Sequence, residues 1–310
     1  MSKTQSQRLA YGETLVELGK ENPNVVVLEA DLGKSTMSAL FQEAYPERYF
    51  EMGIAEQNMM STAAGLAAGG KIAFASTFAV FASGRAYDQL RQTVSIGELN
   101  VKVCGSSSGL SDFGDGSTHQ AIEDVAIMSA IPNMTVLTPC DSNETRKAVR
   151  AAAAHEGPVY IRVVRNDVPD YTDENTSFEI GKVRVLKEGK DVAILAHGTM
   201  VEAAMKAAEM LEKDGVSAQV VNVSTMKPFD VAGVQKIAGA VKAVVTAEEH
   251  TYIGGLASRT AMAMRGMAIP MDYVAVDDQF GQSAHDVKEL MQHYGLTPEN
   301  IVSKAKAMLK

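Results

Sequence analysis

Met52-Gly53-Ile54-Ala55-Glu56-Gln57-Asn58 leads toward Ala63-Ala64-Gly65-Leu66-Ala67-Ala68-Gly69-Gly70, an apolar, small-residue run that predicts a helix from about residue 55 to 69. Glu56 stands between the end of a strand and that helix, where a carboxylate can be half buried against a ligand. A glutamate in a first helical turn more often only complements the helix dipole. The weight placed on Glu56 therefore comes from the residues around it.

Outward from this stretch, helices near 4–21, 83–97, 120–130 and 143–154 alternate with short apolar strands at 25–29, 71–75, 101–104, 135–137 and 159–162. Apolar strands separated by helices predict a mainly parallel sheet covered on both faces. The polar stretch 166–175 contains Pro169, lacks periodicity and marks a domain boundary. A second α/β unit follows, with strands at 192–195, 218–222, 243–246 and 271–275 and a helix over 201–213. The expected fold class is α/β with two doubly wound domains, 1–168 and the smaller 181–310, joined by a linker at 169–180.

A chain of 310 residues, 46% of them apolar, can bury the cores of two domains. Its net charge of -9, with both signs dispersed and no basic run, argues against nucleic acid and against an anionic membrane as partners. No signal-peptide pattern or long apolar span is read, so a cytoplasmic location is expected. Cys104 and Cys140 lie in apolar, strand-like contexts without metal-ligand spacing, which predicts buried structural thiols.

The loop 111–120 is Gly-rich and polar, suited to holding side chains over a ligand at the C-terminal end of a strand. Within it, Gly114-Asp115-Gly116 followed by Asn143 mimics the spacing of a metal-diphosphate site. That reading is rejected because the motif should begin at the end of an apolar strand, and Asn143 reads as a helix N-cap. Gly254-Gly255 suits either a helix N-terminus facing an anion or a tight turn between strand and helix. The remaining histidines, His155, His197, His250, His285 and His293, are read as structural.

After the Gly-Ile-Ala-Glu-Gln phrase come Ala75-Ser76-Thr77-Phe78, Arg85-Ala86-Tyr87-Asp88-Gln89, Asp115-Gly116-Ser117-Thr118-His119-Gln120 and Ala130-Ile131-Pro132-Asn133-Met134. In this order the blocks resemble the pyrimidine-binding domain of the transketolase family of thiamine diphosphate enzymes. Ala247-Glu248-Glu249-His250, Phe280-Gly281-Gln282-Ser283-Ala284 and Tyr294-Gly295-Leu296-Thr297 are similar to the family's C-terminal domain, so the resemblance covers nearly the whole chain.

The resemblance implies roles residue by residue. Glu56 would be the carboxylate beside the cofactor's aminopyrimidine, and Phe78 and Phe81, spaced by three after a strand, would hold that ring. Asp115 and His119 match the pair that contacts hydroxyls of the ketose donor, which makes His119 a catalytic candidate beside Glu56. Arg8, Ser35 and Arg165 match the residues that hold the substrate phosphate, and two guanidinium groups with a hydroxyl suit a tetrahedral anion. One departure stands out: Cys104-Gly105-Ser106-Ser107 occupies the place of the family's Thr-His-Asp-Ser. Losing a phosphate-side His leaves room for another anionic ketose, such as a sulfonated one.

The activity implied is transfer of a two-carbon glycolaldehyde unit from a ketose to an aldose. A full transketolase also carries an N-terminal domain for the diphosphate and metal, whereas this chain starts at the pyrimidine-binding domain. A separate N-terminal transketolase subunit is therefore expected, holding the diphosphate and Mg²⁺ or another divalent ion, in a two-plus-two heterotetramer. Two alternatives stay open: a split relative of 1-deoxyxylulose 5-phosphate synthase or of a 2-oxoacid dehydrogenase β component, and a non-catalytic scaffold subunit.

Overall fold

The structure, a computed structural model, describes residues 4–310, so the first three residues of the expected first domain lie outside the described residues. A seven-stranded sheet runs in the order Thr225–Lys227, Thr135–Leu137, Val159–Arg162, Val101–Ser106, Ile72–Phe78, Val25–Glu29, Tyr49–Glu51. Its last six strands are parallel, and Thr225–Lys227 joins antiparallel at the edge. A five-stranded sheet follows, ordered Met271–Val276, Ala243–Thr251, Val192–Ala196, Ala218–Asn222, Arg184–Lys187, antiparallel only at the last pair. The α/β class and the two parallel-rich units are those expected. Continuous apolar strands such as Val25–Val26–Val27–Leu28 are buried on both faces, as helix-covered parallel sheets require.

Local departures have local causes. Thr4–Ser6 is a strand paired antiparallel with Asp167–Pro169, not the start of a helix. The helix begins at Gln7 because the Ser6 hydroxyl accepts from the Leu9 N–H and caps it. The strand read as 71–75 continues to Phe78, which is thus its last residue and does not follow it. The stretch 83–97 is not one α-helix: Phe81–Arg85 and Leu90–Ser95 are π-helical around a short α-turn at Tyr87–Gln89. The helix read from 120 starts at Asp124, since Ala121 is bridged to Gly109. Asn143 is not a cap either. Asp141 accepts from the Glu144 N–H at 2.8 Å, while Asn143 Nδ2 donates to the Thr172 carbonyl at 2.7 Å.

The two units share their interior. One apolar core passes from Leu28, Met59 and Tyr160 to Leu195, Val221 and Val244, crossing the expected boundary. The edge strand Thr225–Lys227 extends the first unit's sheet from within the second half of the chain. Among the described residues, no helix is long and apolar enough to cross a membrane.

Candidate functional site

Candidate residues gather where parallel strands end at their carboxyl side, the position at which open α/β sheets place ligands. Glu56 opens the helix Glu56–Ala68 and is 2% exposed. Arg85 Nη1 donates to its Oε1 at 2.8 Å. Its Oε2 is buried and has no partner. A buried carboxylate oxygen without a donor costs about 1–3 kcal/mol, so this atom is set to receive a hydrogen bond from something the chain does not supply.

Arg85 also ties Glu56 to the aromatic residues. Its guanidinium carbon lies 4.4 Å from the Phe81 ring centre. Phe78 and Phe81 stack at 6.0 Å and 17°, and the His119 ring meets Phe81 edge-on at 5.3 Å. Phe81 and Arg85, four residues apart at the two ends of the π-helical turn Phe81–Arg85, both serve this one spot. Glu56, Phe78, Phe81 and His119 are therefore brought together, with Arg85 as the linking residue that the sequence reading missed.

Asp115 is exposed in the loop 111–120, and half-buried His119 has Nδ1 2.9 Å from Thr118 Oγ1. Between this pair and the basic residues lies Asp112, also missed. Its buried carboxylate accepts from Arg165 Nη1 at 2.9 Å through Oδ1, while Oδ2 has no partner. Burial pushes the Asp112 carboxyl up, Arg165 pulls it back, and Asp115 adds to the rise.

Arg8 Nη1 donates to the Ser35 backbone carbonyl at 2.7 Å, so the two meet through the main chain and not through the Ser35 hydroxyl. Burial and then the neighbouring Arg165 charge lower the Arg8 pKa, with Asp167 and Asp112 opposing. Arg8, Ser35 and Arg165 thus form one basic corner. The Ser35 turn is anchored by Glu29, whose carboxylate accepts from Thr36 Oγ1 at 2.7 Å, Ser38 Oγ at 2.5 Å and the Ala30 N–H at 3.0 Å. Burial pushes Glu29 up to about 7 against those hydrogen bonds.

Gly105 lies inside a strand, where alternation puts it on the face of Val101 and Val103. A Cβ there would stand 2.1 Å from the Tyr160 hydroxyl, which is fully buried and donates to Asp124 Oδ2 at 2.8 Å. With Tyr160 in place no side chain fits at 105.

Behind the loop, charged groups are buried between the two units. Arg162 Nε donates to both oxygens of Asp124 at 3.1 and 3.0 Å, and Nη2 donates to the carbonyls of Ala121 and Glu249. Burial opposes the Arg162 charge, but Asp124 and Glu249 outweigh it and raise its pKa. Gly255 caps the helix Leu256–Ala263, whose first N–H groups, at Leu256 and Ala257, donate to Glu248 at 2.6 and 2.8 Å. The anion at that helix start is the protein's own carboxylate. His197 is buried beside it and pushed down to about 3, first by burial, and both cysteines are buried. Among the described residues, no group of three or more His, Cys, Asp or Glu could hold a metal ion.

The family model for the transketolase pyrimidine binding domain matches residues 3–170, and that for the transketolase C-terminal domain matches 181–301. A putative transketolase C-terminal section of Methanocaldococcus jannaschii is 43% identical, over 98% of this chain and 96% of its own length. A 6-deoxy-6-sulfo-D-fructose transketolase subunit of a Clostridium species is 42% identical, over 96% of this chain and 92% of its length. Among solved structures, a split gene transketolase described as an inactive beta4 tetramer is similar with a TM-score of 0.90 and 47% identity, covering 99% of each chain.

Proposed function

The chain belongs to the transketolase family, and from that premise we propose that it is the C-terminal subunit of a split, thiamine diphosphate-dependent transketolase. In this reading it helps transfer a two-carbon glycolaldehyde unit from an anionic ketose to an aldose. The observation that carries the reading is the buried, unpartnered Oε2 of Glu56 beside Arg85 and the stacked phenylalanines. The site fits an aminopyrimidine, whose ring nitrogen can share one proton with the Glu56 carboxyl in a hydrogen bond and whose flat faces suit Phe78 and Phe81.

When bound, thiamine diphosphate supplies the nucleophilic carbon that allows a ketose to be cleaved between C2 and C3. Around the pyrimidine ring and the donor sugar, the work falls to this chain. Glu56 holds the hydrogen bond at the pyrimidine nitrogen, and Arg85 fixes the direction of that carboxylate through Oε1. Phe78 and Phe81 hold the ring and exclude water. His119 and Asp115 orient the donor's hydroxyls, with His119 placed to move a proton there. Arg8, Ser35 and Arg165 hold the donor's anionic end. Asp112 and Asp167 offset part of their charge, so a sulfonated ketose is as admissible as a phosphorylated one.

A separate N-terminal subunit supplies the diphosphate site and its Mg²⁺, in a two-plus-two assembly in the cytoplasm. Relatives of nearly the same length described as a section or a subunit support this division. The test mixes this chain with a transketolase-like N-terminal subunit, thiamine diphosphate and Mg²⁺, and offers ketose phosphates and ketose sulfonates. Ketose cleavage by the mixture and not by either chain alone is expected. Turnover by this chain alone, or CO₂ release from pyruvate in place of ketose cleavage, would overturn the reading.

A further inference from the structure

The loop that carries Asp115 and His119 is held from the second domain at both ends. At its start, the Leu110 N–H donates to Glu249 Oε1 at 2.6 Å, and Glu249 is fixed in turn by Thr199 Oγ1 and by Arg162 on its carbonyl. At its far end, Gln120 is 3% exposed and donates from Nε2 to the Gln282 carbonyl at 3.0 Å and to the Asp112 carbonyl at 3.3 Å. Between them, the Ala284 N–H donates to the Phe113 carbonyl at 2.9 Å.

Two glycines permit this close approach. Gly116 has φ 75°, and a Cβ on it would lie 2.4 Å from Ser283 Oγ. A Cβ on Gly281 would lie 1.8 Å from Gln120 Oε1. The segment 280–284 is itself anchored by Tyr294, whose hydroxyl donates to the Phe280 carbonyl at 2.9 Å. Most of these bonds end on main-chain atoms, so the contact fixes the path of the loop and leaves its side chains free to face a ligand.

We propose that the second domain is a template for the donor-reading loop, with Gln120 and Gly281 as positioning residues that act through the adjacent His119 and Asp115. The assignment of those two to the donor rests on the function proposed above; the clamp itself rests only on the contacts between the two units. Gln120→Glu keeps shape and removes the donor, and Gly281→Ala adds a methyl group against Gln120.

Hydrogen exchange of the amides in 111–119 is measured on the full chain for both variants, alongside the denaturant midpoint. Exchange in 111–119 about tenfold faster than any change in the denaturant midpoint accounts for is expected, the scale of one lost hydrogen bond. In the reconstituted pair, the donor KM should rise while the acceptor KM holds. The Gln120→Ala, Gly281→Ala double variant should be less than additive, because the methyl group then has room. Unchanged exchange in 111–119 would overturn the clamp, and an equal rise in both KM values would overturn its action on the donor through His119 and Asp115. If the unmodified pair fails to cleave ketoses, the function falls, and the exchange result alone decides the clamp.

Discussion

Arg85 takes one oxygen of Glu56 and leaves the other without a partner, so direction and availability of the carboxylate are set by different residues. Gly105 is coupled in a similar way to a neighbour remote in sequence. Its want of a side chain is matched by Tyr160, whose hydroxyl fills that space. Gly105→Ala should destabilise the chain by about 1–3 kcal/mol, as overpacking of a filled core does. Chemical denaturation checks this, and an unchanged midpoint would mean that Tyr160 yields freely. Glu56, Phe78 and His119, each in a compact local phrase, are candidates a sequence can offer, and the fold groups them. Arg85 and Asp112 lie in or beside the same segments, but their partners are 29 and 53 residues away, and no local pattern reports such pairing.

Among the elements, the turn bearing Ser35 depends on one buried carboxyl. Glu29 has an ordinary pKa of 4.5 and is pushed up to about 7 in the fold. A raised acid contributes stability that is present in full below its unfolded pKa and is lost as pH rises through the folded value. The window is thus about pH 4.5 to 7, and the loss is about 3 kcal/mol at 1.36 kcal/mol per unit. Glu29→Gln should remove that slope, so wild type minus variant stability should fall across the window; a flat difference would contradict the assignment. The main strands could be read because they are buried on both faces and uniformly apolar. Thr4–Ser6, Arg184–Lys187 and Thr225–Lys227 could not, since short strands at sheet edges are defined by partners and not by pattern. The π-helical turns keep a helical period, so only their backbone distinguishes them.

For the whole molecule, the continuous core, the edge strand and the buried hydrogen bond from Arg162 to the Glu249 carbonyl bind the two units into one folding body. A single cooperative thermal transition by calorimetry is expected, with calorimetric and van't Hoff enthalpies in agreement. Two resolved transitions would show that the units are independent. Sequence alone indicated two α/β units and a polar stretch between them, but not that they share an interior, because the pairing of Thr225–Lys227 with Thr135–Leu137 spans some ninety residues. The role of Glu56 is tested most directly by the rate at which the C2 proton of thiamine diphosphate exchanges in D₂O, followed by NMR in the mixture with the N-terminal subunit. Glu56→Gln should still bind the cofactor while slowing that exchange about 10²–10⁴-fold; equal exchange in variant and wild type would contradict the claim and leave the chain as a scaffold.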